Sequence, residues 1–160
     1  MWHIVSVVFG ALIGSFLNVC ILRLPQEESI ITPGSRCPHC KTPIRFYDNI
    51  PLVSYLMLKG RCRYCKKKIS MQYPLIEGIT ALSSLTLFIK YGASLSYIIY
   101  FSFVSALIVI TVIDLYHQII PDVISLPGIG VGLLASLVLP KITFLNSLIG
   151  FIVGGGSLFL

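Results

Sequence analysis

Residues 91–113 read YGASLSYIIYFSFVSALIVITVI, 23 positions without one formal charge. A helix of that length is about 35 Å long, enough to cross a hydrocarbon layer of about 30 Å. The reading extends to both sides. Residues 1–22 carry no Asp, Glu, Lys or Arg, and residues 75–90 form an apolar stretch with Glu77 and Lys90 near its ends. Residues 123–139, softened by Pro127, Gly128, Gly130 and Gly132, form another, and a last one runs from about 142 to Leu160. About five transmembrane helices are therefore expected. The composition agrees: 56% hydrophobic and 11% charged residues, with mean hydropathy +0.90, against about 25% charged in soluble domains. Such a chain cannot be an ordinary cytosolic enzyme, a disordered tail or a disulfide-rich secreted miniprotein. The expected fold class is an all-α polytopic membrane protein.

The net charge of +6 is concentrated in one place. Ten of the twelve Lys/Arg lie between Arg23 and Lys68, leaving only Lys90 and Lys141 elsewhere. A short loop so loaded stays cytoplasmic by the positive-inside rule, which explains the charge more simply than nucleic-acid binding does. The N-terminus and the turns near 90–96 and 140–143 then lie outside, and residues 114–122 return to the cytoplasm. Residues 1–22 make a poor signal peptide, having no basic start. Cys20 reads as a small buried packing residue, since the bulky Val19 before it argues against lipoprotein cleavage. The division expected is a first transmembrane helix at 1–24, a cytoplasmic loop at 25–74, and a transmembrane helical domain at 75–160. Gly154, Gly155 and Gly156 would let a neighbouring helix approach the last span closely.

The loop holds two Cys-x-x-Cys pairs, Cys37/Cys40 and Cys62/Cys65, inside a repeat: Cys-x-x-Cys-Lys-x-x-Ile occurs at 37–44 and again at 62–69. Two such turns complete a tetrahedral four-thiolate Zn²⁺ site, closed to water and hence structural. Lys41, Arg63, Lys66, Lys67 and Lys68 would help ionise the thiols and offset the site's net negative charge. A loop this short has little core, so the metal would supply much of its folding energy. The rival readings are redox and plain disulfides. Cys-Pro-His-Cys is a redox-active sequence, but it needs a thioredoxin-like frame that the loop lacks, and a cytoplasmic loop is reducing.

Of six acidic residues, Glu27, Glu28 and Asp48 read as ordinary solvated charges. Glu77, Asp114 and Asp122 border apolar spans, where a charge is costly and is kept for a partner or a function. Asp122, behind an N1 proline at Pro121, also reads as a helix-start residue. Asp114 opposes the dipole at a helix C-terminus, so something else should hold it there. Glu77 reads as an ion-pair or helix-start residue at least as readily as a catalytic one, and His117 as a polar anchor ahead of a proton carrier. No nucleophile triad or phosphate-binding glycine loop stands at the span ends.

Gly14-Ser15-Phe16-Leu17-Asn18-Val19 with Arg23 and Pro25, the paired cysteines around residues 49–56, Lys59-Gly60-Arg61-Cys62, Tyr73-Pro74-Leu75-Ile76-Glu77, and Asp114 with Ile120-Pro121-Asp122 and Leu126-Pro127 together resemble the type IV prepilin peptidases. The resemblance covers nearly the whole chain in order. It implies a membrane aspartic endopeptidase of the bacterial inner membrane that removes the basic leader of prepilins and pseudopilins at the cytoplasmic face. Many members also N-methylate the new terminus with S-adenosylmethionine. It implies that Asp114 is the first catalytic aspartate, with Asp122 as second choice. The family's other aspartate sits in a Gly-x-Gly-Asp motif on a later span, and these 160 residues contain no such motif. The chain is thus expected to be the N-terminal portion of such an enzyme, inactive alone. The alternatives are a non-catalytic zinc-bearing membrane module that binds pilin leaders or assembly partners, and a thiol oxidoreductase.

Overall fold

Small residues four apart decide how the first helices meet. A computed structural model describes residues 1–32, 34–139 and 143–159. Its helices are α1 (Trp2–Arg23), α2 (Val53–Met57), α3 (Gln72–Tyr91), α4 (Leu95–His117), α5 (Asp122–Val138) and α6 (Phe144–Phe159), with 3-10 turns at Leu24–Gln26 and Phe46–Asn49. Among the described residues there is no strand beyond two isolated bridges. The chain divides into two units, Met1–Ile119 and Ile120–Leu160.

In the first unit, α1 buries Ser6, Gly10, Gly14, Leu17, Asn18 and Ile21 on one face. The facing surface of α3 is Ile76, Glu77, Thr80, Ala81 and Ser84. Gly10 and Gly14 bring the backbones together: a Cβ on Gly14 would lie 2.7 Å from the Cα of Glu77. The pair forms a Gly-x-x-x-Gly contact of the kind that joins helices in lipid. Buried Tyr97, Phe101, Ser105, Val109 and Ile113, each four residues from the last, place one stripe of α4 against this pair. Hydroxyls caught in the seam find acceptors locally. Ser84 donates to the Ser6 carbonyl at 2.7 Å and lies 2.7 Å from the Tyr97 hydroxyl, while Thr80 donates to the Ile76 carbonyl at 2.7 Å.

The outside of this bundle is apolar, with Ile4, Val8, Leu12, Ile98, Phe103 and Leu107 all exposed. A girdle of that kind belongs in hydrocarbon rather than water. Two helical stretches, Trp2–Gln26 and Leu95–His117, are long and apolar enough to cross a membrane. Asp122–Val138 and Phe144–Gly155 are shorter apolar helices. In the second unit α5 and α6 pack on each other. A Cβ at Gly154 or Gly155 would meet nothing within 4 Å. Residues 140–142 of the turn expected between the last two spans lie outside the described residues.

Element boundaries depart from the sequence reading at three places. Helix α3 starts at Gln72 rather than near 75, because Pro74 in a first turn removes only an N–H that has no helical partner. Helix α4 runs past Ile113 to His117, then stops where left-handed Gln118 (φ 54°) donates its N–H to the Asp114 carbonyl at 2.8 Å. Pro121 is the N-cap of α5 and not its first helical residue, which is Asp122.

Candidate metal centre and helix-end carboxylates

The repeat in the loop sequence is a repeat in hydrogen bonding. In the first half the Cys37 N–H donates to the Thr42 carbonyl, Lys41 N–H to Cys37, and Ile44 N–H to Ser35. Twenty-five residues later Cys62 donates to Lys67, Lys66 to Cys62, and Ile69 to Gly60. Lys41 and Lys66 both take φ 58°, the left-handed residue that closes each turn. Bridges Arg36↔Pro43 and Arg61↔Lys68 complete the match. Each turn aims two sulfurs at a common point.

The four sulfurs of Cys37, Cys40, Cys62 and Cys65 lie within 4.8 Å of one another. Cys37 and Cys65 are 3.8 Å apart, and Cys40 and Cys62 4.0 Å. A tetrahedral ion with bonds of about 2.3 Å sets its sulfurs about 3.8 Å apart, so the cage can hold a metal ion with little adjustment. The thiols share charge unevenly. Hydrogen bonding to the Thr42 side chain and backbone draws Cys40 down to about 6. At Cys65 the Lys67 backbone N–H pulls downward, but burial and the neighbouring thiols outweigh it and leave the group at about 11. The cysteine set expected from the spacing is brought together in full. Cys20 is buried in α1, away from it.

Asp48, read from the sequence as an ordinary solvated charge, is not one. Its side chain is 7% exposed and takes Arg63 Nε at 2.8 Å and Nη2 at 2.6 Å. The Arg63 hydrogen bonds hold its carboxyl below the usual carboxylate range. Arg63 also lies over the Tyr47 ring, as does Arg45. This packing fastens residues 46–49 to the second cysteine turn.

Among the described residues Glu77 has no ion-pair partner, and it lies more than a turn past the start of α3. It stands within α3, buried, and its Oε2 accepts the Leu52 N–H at 2.8 Å, with Ser15 of α1 bonding alongside. Leu52 has φ 60°, a conformation costing a non-glycine residue about 1–2 kcal/mol. The carboxylate therefore holds a strained turn. One residue pair away, Asn18 donates to the Tyr73 carbonyl at 3.1 Å and to Gly14 at 3.3 Å. The stretches 14–19 and 73–77 thus meet in one joint that seats the loop on the helices.

Asp114 is exposed in the last turn of α4, and Asp122 is exposed at the start of α5, in the other unit. His117 ends α4, exposed. An open apolar groove of about 780 Å³ runs between the start of α3 and the end of α4, with Pro74, Leu75, Ile76, Val112, Leu115 and Tyr116 among its walls. The α4 turn that carries Asp114 forms one side of it.

Comparison with known proteins places both halves of the chain in one family. Residues 8–91 match the bacterial peptidase A24 N-terminal domain, and residues 101–160 match the type IV leader peptidase family. A prepilin leader peptidase/N-methyltransferase of Myxococcus xanthus (strain DK1622) is 40% identical over 92% of this chain and 44% of its own length. A type 4 prepilin-like proteins leader peptide-processing enzyme of Escherichia coli O78:H11 (strain H10407 / ETEC) is 40% identical over 94% and 63%. A Pseudomonas putida prepilin leader peptidase/N-methyltransferase is 35% identical over 96% and 61%. The chain thus spans between 44% and 63% of the length of these relatives. No solved structure matches it. With residues 8–91 and 101–160 matching its two models, the chain belongs to the bacterial A24 family of type IV leader peptidases.

Proposed function

We propose that a protein containing this chain is a membrane aspartic endopeptidase that cleaves the leader from type IV prepilins or pseudopilins, with Asp114 as one of its two catalytic carboxylates. The observation that carries this is the family match running through both the cysteine loop and the Asp114 segment. Two nearby carboxylates share one proton, because like charges do not both ionise easily at short range. The charged member activates water and the protonated one polarises the scissile carbonyl. Asp122 is the second choice for Asp114's place, and the other member of the pair comes from outside these residues. The groove walled by the α4 turn that carries Asp114 is largely apolar, so it would accept an apolar stretch of substrate.

In this reading α1, α3, α4, α5 and α6 all cross the bacterial inner membrane, and residues 25–74 lie in the cytoplasm because they carry most of the positive charge. The four cysteines hold a structural Zn²⁺: four sulfurs leave no open coordination position for water. The relatives' names pair leader peptidase with N-methyltransferase, and we extend the second activity, with S-adenosylmethionine as methyl donor, to the same protein.

The test is Asp114→Asn in a prepilin-cleaving protein that carries this chain. Cleavage should vanish and zinc content should hold. Retained cleavage overturns the assignment of Asp114. A second reading, a non-catalytic zinc-bearing module that binds pilin leaders, draws on the well-formed cysteine cage alone; it predicts leader binding without cleavage in every such protein.

A further inference from the structure

The two halves of the cysteine repeat match in hydrogen bonding but differ in charge. Arg36 and Lys41 of the first correspond to Arg61 and Lys66 of the second, yet Gly34 and Pro38 are replaced by Lys59 and Arg63. The first half forms the same turn without those two cations, so the cage does not require them. In the second half Lys59, Arg61, Arg63 and Lys66 line a hollow of about 360 Å³, floored by Leu58 and Cys62. Asp48 occupies Arg63 from one side. Among the described residues no carboxylate lies within ion-pair reach of Lys59, Arg61 or Lys66. Cations converging on one hollow repel each other, and an anion among them relieves that repulsion.

A second feature adjoins the hollow. Helix α2 leads directly into it and presents Val53, Leu56 and Met57 outward, the last two 74% and 77% exposed. Met71, just before α3, is 70% exposed. The Tyr55 hydroxyl donates to Met71 Sδ at 2.9 Å, which ties α2 to the start of α3. Exposed apolar side chains beside clustered cations, held at the foot of an apolar helix, have the chemistry of contact with an anionic bilayer face.

We propose that this hollow binds the phosphate of an anionic lipid headgroup, with Val53, Leu56 and Met57 entering the acyl boundary beside it. The inference rests on the membrane topology proposed above and is independent of the peptidase chemistry. A soluble phosphate shares the headgroup's chemistry, so the experiment carries an arm for each. The zinc-loaded full chain is placed in nanodiscs of phosphatidylcholine, alone or mixed with phosphatidylglycerol, and lysine acetylation rates are read by mass spectrometry. Incorporation into the neutral discs checks the spanning topology separately. Lys59 and Lys66 should react several-fold more slowly in the anionic discs, while Lys41, the equivalent of Lys66 in the first half, should not change. Arg61→Gln should weaken the protection about fivefold, the share of one cation near such a surface, with zinc content as a check on folding. In detergent, inorganic phosphate should protect the same two lysines, more weakly than lipid. Equal protection of all three lysines in anionic discs, or none, overturns the site. Protection by inorganic phosphate without protection by lipid overturns the lipid assignment.

Discussion

Replacing Gly10 by Ala should unlock α1 from α3. The added Cβ would stand 2.6 Å from Ser84 Cβ, 2.8 Å from Ala81 Cα and 2.9 Å from the Thr80 carbonyl oxygen. Carbon atoms rest about 3.5–4.0 Å apart, so the helices must part by about 1 Å. Two of the three obstacles are backbone atoms and cannot swing aside. A gap of that size forfeits a quarter to a half of each dispersion contact along the seam, and overpacking of this type costs about 1–3 kcal/mol. Parting the helices also stretches the Ser84–Ser6 hydrogen bond, now 2.7 Å, at a further cost of about 0.5–1.5 kcal/mol. The gain in helix propensity from Gly to Ala returns about 1 kcal/mol. The net loss should be about 1–3 kcal/mol. Gly78 supplies the control, since a Cβ there meets nothing within 4 Å. Gly78→Ala should leave stability unchanged or raise it. Both variants can be unfolded in mixed micelles by raising the dodecyl sulfate fraction while following helicity by circular dichroism. A Gly10→Ala chain as stable as its parent, or a Gly78→Ala chain that loses as much, would refute the close-approach argument.

Glu77→Leu should leave the Leu52 N–H without its acceptor at about 1–3 kcal/mol and speed hydrogen exchange at Leu52, whereas Glu77→Gln, which keeps an acceptor, should stay near the parent. Serine at any one of Cys37, Cys40, Cys62 or Cys65 should abolish stoichiometric zinc binding by mass spectrometry and expose residues 34–70 to protease, with α1, α3 and α4 still folded. Zinc displaces thiol protons, so its affinity should rise with pH; below about 6, where Cys40 is also protonated, a plot of log affinity against pH should steepen. Asp48 has its carboxyl pKa lowered by Arg63, so its contribution is present above the unfolded value of about 3.9 and is lost as pH falls through the folded value. The Arg63 Nε–H resonance should report this by NMR as a shift on acidification, and Asp48→Asn should remove the transition.

The helices were legible because each apolar run is long and bounded by charge or turn residues, and the cysteine cage because its spacing and repeat are local. What the sequence did not disclose were contacts between distant segments. Gly10 and Gly14 are simply two glycines in an apolar run until Thr80 and Glu77 are known to face them. Glu77 gave the correct signal, a costly charge in an apolar stretch, but its partner is a backbone N–H 25 residues away, which no side-chain pattern marks. Asp48 carries no local signal, because a loop carboxylate looks solvated unless the fold places an arginine fork against it. Helix α4 ends four residues beyond the apolar run because hydropathy stops at Ile113 while backbone hydrogen bonding continues to the left-handed Gln118.

The seam between α1 and α3 sets an order on biosynthesis. Helix α1 leaves the ribosome first, and its glycine face stays without its mate until the chain reaches Gln72. At about 5–20 residues per second the intervening stretch takes several seconds to translate. The cysteine cage can close only once Cys65 has been made, seven residues before Gln72 opens α3. If the cage closes on zinc as proposed, a slow supply of the metal would leave it unformed at the moment α3 arrives. Glu77 would then reach α1 before the turn around Leu52 was ready to meet it. With the proposed zinc in the cage, metal supply and the docking of α3 on α1 are in this way coupled through the timing of one nascent chain.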